Sequence, residues 1–246
     1  MEVIYALRFP IYDSPVSLTD NLNAIQQRIR AACERAGRDP GTVTLLAVSK
    51  THPPETVQAA VAAGQLLFGE NKVQEAKAKI PNCPGKTRWH FIGHLQSNKC
   101  RDAVELFAMI QSVDSLALAQ EISKRAEAAG KTLPILLEVN VAGEASKFGY
   151  PPEQLLTELG AINALPRLEV QGLMAIPPYA PVPDKTRPYF RKLRELKERA
   201  EAVLGGPLPE LSMGMSGDFE IAIEEGATMV RVGTALFGER TPLKRF

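Results

Sequence analysis

The sequence predicts a single (β/α)8 barrel, and two observations carry that reading. About eight short apolar runs alternate with segments of helical periodicity, as βαβ units require. Most runs begin roughly 20 to 25 residues after the previous one, and eight such units fit within 246 residues. A doubly wound open sheet is the alternative. A nucleotide-binding sheet of that kind would bring a G-x-G-x-x-G turn or a P-loop, and neither occurs.

The elements follow in order. A helix is predicted over 17–37, where Leu18, Leu22, Ile25, Ile29 and Ala32 recur at helical spacing. Ser17 and Asp20 have capping-box spacing, with Asp in place of the usual Glu, and Gly37 is a candidate C-cap. The run 43–49 is short and apolar, a buried strand. His52-Pro53-Pro54 ends it, and a helix over 55–63 stops at Gly64. The same logic gives strand 66–69, helix 71–80, strand 89–93 and helix 98–107. Strand 109–113, helix 115–129, strand 135–141, helix 152–165 and strand 168–176 continue the alternation. The Pro-rich stretch 177–188 reads as a long surface loop and not as a domain boundary. The helix over 187–204 mixes both charge signs, as a solvated face does, and Gly205-Gly206 ends it. Strand 211–215, helix 218–225 and a last strand over 229–237 complete the pattern. The domain division is therefore an N-terminal arm over 1–16 and one barrel over 17–246. The arm is apolar but carries Glu2, Arg8 and Pro10, which does not match a signal peptide.

Composition narrows the function. Hydrophobic residues make up 45% and charged residues 23%, an ordinary globular balance. Lys and Arg number 29 against 28 Asp and Glu, which argues against a nucleic-acid partner. No apolar run approaches the roughly 18 residues needed to cross a bilayer, so no membrane partner is expected. Cys33, Cys83 and Cys100 are scattered and form no C-x-x-C pair, so a reducing, cytoplasmic setting is expected. His90 and His94 share one predicted strand but stand about 13 Å apart at strand rise, so no metal site is expected. No Ser or Cys lies in a nucleophile elbow.

In such barrels the chemistry sits at the carboxyl ends of the strands. Lys50 ends the first strand. Alternation puts Leu46, Val48 and Lys50 on one face, so the lysine points into the mouth if the other two fill the barrel. Desolvation there lowers a lysine's pKa and frees the amine for a Schiff base with an aldehyde. A lysine snorkelling to solvent is the plain alternative. The segment 213–218 follows a strand and opens a helix. Ser216 and Gly217 there offer a hydroxyl and backbone N–H groups to an anion, and Asp218 is a candidate helix cap. Gly233 and Thr234 lie in the last predicted run, and the loops after strands seven and eight are the usual phosphate site. Ordinary turn chemistry is the alternative there. Arg231 shares a face with Met229 and Gly233. A buried arginine needs an acceptor, either a core carboxylate such as Glu138 or a ligand atom. An aldehyde carrying a phosphate satisfies both lysine and cradle; pyridoxal phosphate is one, and a sugar phosphate is another.

Longer motifs go further. The segments LLAVSKTHP (45–53), FGENKVQEA (68–76), WHFIGHLQSNK (89–99), SVDS (112–115), SKFG (146–149), GLM (172–174) and LSMGMSGDFEIAIEEGATMVRVGTALFG (211–238) together resemble one family. It is the pyridoxal phosphate homeostasis protein family. The resemblance runs from about Leu18 to Arg240, and its motifs are long, ordered and specific. It implies a (β/α)8 barrel of the alanine racemase N-terminal type, with pyridoxal 5′-phosphate as cofactor. By resemblance, Lys50 holds the cofactor as an internal aldimine. Ser216, Gly217, Gly233 and Thr234 resemble the family's phosphate contacts, Arg231 the partner of the pyridine nitrogen, and Asn71 a neighbour of the ring hydroxyl. An arginine there disfavours ring protonation and makes the ring a poor electron sink, which argues against aminotransferase chemistry.

Racemisation needs a base on each face of the substrate carbon. In related racemases the second base is a tyrosine from a C-terminal β domain, and this sequence stops at Phe246 with no room for one. The expectation is therefore a non-enzymatic carrier that holds the cofactor for homeostasis, with apo-enzymes as acceptors and a monomeric state. A slow pyridoxal enzyme and a cofactor-sensing regulatory protein are the alternatives.

Overall fold

The computed structural model describes residues 17–144 and 147–238. The expected arm over 1–16 lies outside the described residues, as does Ser146 of the SKFG motif.

Eight parallel strands close into a barrel in sequence order. They are β1 (Thr44–Val48), β2 (Leu67–Glu70), β3 (Arg88–Phe91), β4 (Met109–Val113), β5 (Leu133–Glu138), β6 (Leu168–Met174), β7 (Glu210–Ser212) and β8 (Met229–Val232). The seam joins first to last, with Thr44 opposite Met229 and Ala47 opposite Val232. The surrounding helices are α1 (Leu18–Arg35), α2 (Pro54–Ala62), α3 (Val73–Lys79), α4 (Cys100–Leu106) and α5 (Leu116–Ala128). They continue with α6 (Pro152–Asn163), α7 (Arg187–Leu204), α8 (Phe219–Glu224) and α9 (Thr234–Phe237).

Strand alternation builds two layers. Outward residues such as Ala47, Phe68, Phe91, Ile110, Ile135 and Val230 join the helices in the main core. Inward residues fill the barrel: Leu46, Val48, Ile92 and Met229 form one cluster, and Met109, Leu136 and Met174 another. Gly69 leaves room for this filling, because a Cβ there would stand 2.3 Å from Leu46 Cδ2. Helix α1 begins with a complete capping box, Ser17 Oγ accepting from Asp20 N at 3.1 Å and Ser17 N donating to Asp20 Oδ2 at 3.3 Å. It ends at Ala36, with Gly37 next at φ +63°. Next to α1, Arg187, Arg191 and Arg194 of α7 converge on Glu225 at 3.1 to 3.3 Å, so part of that charged helix anchors to the end of α8. Among the described residues no helix is long and apolar enough to cross a membrane.

Four local expectations change. The last strand ends at Val232, and Thr234–Phe237 is helix α9. Gly233, at φ −113° and ψ −81°, leaves the extended region and turns the chain. The expected strand over 211–215 stops at Ser212, and that over 135–141 stops at Glu138. The fourth change separates the histidines. Strand β3 ends at Phe91, so His90 lies in the barrel while His94 lies in the following loop. There His94 stacks on Phe148, and its Nδ1 stands 3.4 Å from Asp114 Oδ2.

Candidate functional site

A cavity of about 270 Å3 opens at the carboxyl ends of the strands. The structure brings Lys50, Asn71, Ser216, Gly217, Arg231, Gly233 and Thr234 together in its walls. Val48 and Ile92 of the inner apolar cluster also line it.

Lys50 follows the last residues of β1, above the inward-facing Leu46 and Val48. Its backbone is gripped from α3. The Ser49 carbonyl accepts from Lys79 Nζ at 2.8 Å, and the Thr51 N–H donates to Glu75 Oε1. Lys79 also donates to Glu70 Oε1 at 2.7 Å and to Glu75 Oε1 at 2.9 Å. Ser49 Oγ donates to the same Glu70 oxygen at 2.7 Å. Burial pushes the Glu70 carboxyl up, against the pull of Lys79 and Ser49. The i,i+4 spacing of Glu75 and Lys79 is visible in the sequence, but their inward turn toward β1 is not.

Asn71 lies just past β2. Its Oδ1 is buried without a hydrogen-bond partner, which marks an acceptor waiting for a donor. Gly93 makes this close packing possible, because a Cβ there would stand 2.2 Å from Asn71 O.

Arg231 is 3% exposed, on the inward face of β8. It makes no ion pair with Glu138. Its Nη1 donates to Ser212 Oγ at 2.7 Å and its Nη2 to Ala175 O at 2.8 Å. Burial pushes the guanidinium down to about 10, with Glu138 and Asp218 opposing, so it stays charged at neutral pH. Sequence reasoning missed what supports it. Ser212 Oγ donates to Gln111 Oε1 at 2.7 Å. Gln111 Nε2 then stands 2.9 Å from His90 Nδ1 and 3.0 Å from Met229 Sδ. A thioether only accepts, so the amide nitrogen faces this side and His90 Nδ1 is the acceptor. The imidazole proton then sits on Nε2. Burial pushes His90 down to about 4, so the ring is neutral.

Two turns meet at one end of the cavity. Ser216 Oγ accepts from Gly233 N and Ala235 N, each at 3.3 Å, which ties the turn after β7 to the turn after β8. Gly217 faces open space, and a Cβ at Gly233 would meet Val48 O at 3.3 Å. Asp218 stands at the N-cap of α8, but its side chain makes no capping bond. Its Oδ1 instead accepts from Met215 N at 2.7 Å and closes the turn that carries Ser216. Glu138, at the end of β5, is pushed up to about 7 by burial and by Asp114, with Arg231 opposing.

The alanine racemase N-terminal domain family matches residues 21–241. The pyridoxal phosphate homeostasis protein of Aquifex aeolicus is 47% identical over 222 residues, 90% of this chain and 97% of the relative. That of Pseudomonas aeruginosa is 48% identical over 229 residues, 91% and 96% of the two chains. The solved structure of PipY from Synechococcus elongatus with PLP bound is 38% identical, with a TM-score of 0.80. The match covers 90% of this chain and all of that one. An alanine racemase of Clostridium difficile, 16% identical with a TM-score of 0.67, shares the fold over 94% of this chain and 58% of its own length. On sequence and architecture together, the chain belongs to the pyridoxal phosphate homeostasis protein family and carries the alanine racemase N-terminal fold.

Proposed function

We propose that this chain binds pyridoxal 5′-phosphate reversibly at the barrel mouth and acts in cofactor homeostasis. One observation carries the reading: a single cavity gathers a lysine, a buried guanidinium and two glycine-containing turns in its walls. The donor set fits the group. The cofactor supplies an aldehyde, and Lys50 is the amine that holds it covalently. Val48 and Ile92 offer an apolar wall to the ring. The orphaned Asn71 Oδ1 would accept from the ring hydroxyl, and Arg231 would hold the pyridine nitrogen. Ser216, Gly217, Gly233 and Thr234 receive the phosphate. A fixed cation at the ring nitrogen keeps the ring unprotonated, which suits storage better than chemistry that needs a strong electron sink. The relatives' name and the PLP-bound PipY structure support this reading. It extends to a monomer in the cytoplasm that hands the cofactor to apo-enzymes.

Purified protein is expected to be yellow, and borohydride followed by peptide mass analysis is expected to mark Lys50. A stoichiometric reducible adduct surviving in Lys50→Ala would overturn the assignment. A slow pyridoxal enzyme is the second reading; Glu138, a buried carboxyl pushed up to about 7, is its candidate proton carrier, although it lines a neighbouring pocket and not the Lys50 cavity. Turnover of L-amino acids well above that of free cofactor would favour it over pure carriage.

A further inference from the structure

Lys50 stands between two peptide groups, and side chains of α3 hold both. The carbonyl of the peptide before it accepts from Lys79 Nζ, and the N–H of the peptide after it donates to Glu75. Glu75 and Lys79 also bond each other at 2.9 Å. The three bonds of Lys79, to Ser49 O, Glu70 and Glu75, use all three of its N–H groups. With its side chain 4% exposed, this lysine is a fastener and no rival amine for the cofactor. The strain sits at the same place. Thr51 holds φ +68°, a region where a β-branched residue is an outlier and persists only if its surroundings enforce it. The Glu75 bond falls on the N–H of that residue.

We propose that the Glu75–Lys79 pair is a positioning device for Lys50, gripping the peptide on each side of it and so setting where its amine stands at the barrel mouth. The inference rests on the reading of Lys50 as the amine that holds the cofactor. Two fixed peptide planes aim the Cα–Cβ bond, and a four-carbon stem converts a small backbone rotation into a large displacement of Nζ. A productive geometry must be held to within about 0.5 Å, so loosening either plane reaches the cofactor.

The test uses the full chain with pyridoxal 5′-phosphate as the probe, and reads dissociation constant, visible absorption per bound cofactor and thermal midpoint. Glu75→Leu and Lys79→Met are expected to weaken binding by about ten-fold or more, the scale of one charge-assisted bond, and to change the visible absorption. Glu75→Gln keeps an oxygen for the Thr51 N–H and is expected to restore binding to within about three-fold. Should Lys79→Met or Glu75→Leu fail to fold, Glu75→Asp withdraws the acceptor at a position one quarter exposed and reads the same effect. Variants with a lower midpoint but unchanged affinity and absorption would show a plain structural anchor and overturn the proposal. Lys50→Ala runs in parallel. If it keeps a stoichiometric reducible adduct, the reading of the site fails; if it loses the adduct while the α3 variants bind normally, only the positioning role fails.

Discussion

Two buried polar assemblies flank the barrel mouth, and they are built on opposite principles. The one behind β1 and β2 is ionic: Lys79 meets Glu70 and Glu75. The one inside the barrel is a chain of mostly neutral groups, Arg231 to Ser212 to Gln111 to His90, with its charge at one end. The ionic cluster holds backbone, on either side of Lys50. The neutral chain holds a side chain, the guanidinium of Arg231. A backbone strained at Thr51 needs strong partners. A guanidinium that stays charged, and that on the proposed reading faces a ligand, is better served by neutral acceptors than by a carboxylate that would cancel it. Glu138 illustrates the point, because it lies within electrostatic reach of Arg231 yet makes no ion pair with it.

The sharpest way to break this contrast is Lys79→Met. It strands the fully buried Glu70 carboxyl without its cation, and a loss of about 3 to 5 kcal/mol in unfolding free energy is expected by denaturant titration. An equal loss from cutting the neutral chain would erase the distinction. Glu138→Gln is expected to act in the other direction. The carboxyl titrates near 7 in the fold against an ordinary value of 4.5 in the unfolded chain, so the fold binds the extra proton between those values. The contribution of Glu138 is complete below about 4.5 and is lost as pH rises through 7. The variant should therefore gain stability above pH 7, by at most on the order of 3 kcal/mol, and show a flatter pH profile from 4.5 to 7. A parallel profile would refute the burial argument. His90 has the opposite sign, since its folded pKa is about 4 against 6.5. Its contribution is present above 6.5 and is lost as pH falls toward 4, and His90→Asn should remove that acid slope.

Ser212→Ala probes the neutral chain directly. It removes an acceptor from Arg231 and a donor from Gln111, at about 1.5 to 3 kcal/mol. Cofactor affinity should fall with it, and Ser212→Thr should recover most of both. The smallest effect is expected outside both assemblies. Ser17→Ala opens the capping box of α1 at about 1 kcal/mol, with cofactor affinity unchanged in a binding titration.

Much of the architecture is legible in the sequence because it rests on periodicity. Alternation places Leu46 and Val48 inside, and they do pack there with Ile92 and Met229. The failures share a cause. Residues 235–237 are apolar and follow an apolar strand, so only the Gly233 backbone reveals the turn. Apolar continuity likewise extends the third predicted strand to Gly93, although it stops at Phe91. Asp218 has the spacing of a helix cap, but its carboxylate turns back to Met215 N. The supporting residues are harder still to read. Lys79 follows Lys77 near the end of a short helix and looks solvated; only the packing of α3 on β1 and β2 shows that one lysine is buried while its neighbour pairs with Asp102 outside. Gln111 and Ser212 do leave a trace, as polar residues on buried strands. Strand periodicity says that such residues need partners, but not which ones.

The seam between β1 and β8 has a consequence for biosynthesis. Lys50 follows the first strand, while Ser216 and Gly233 follow the last two. A growing chain thus presents its amine long before the cradle exists. On the proposed reading of the site, retention of the ligand is a property of the finished polypeptide: a product halted before β7 would carry the lysine but lack the turns proposed to receive the phosphate. The yellow colour of the purified protein would therefore certify a chain translated and folded to its final strand.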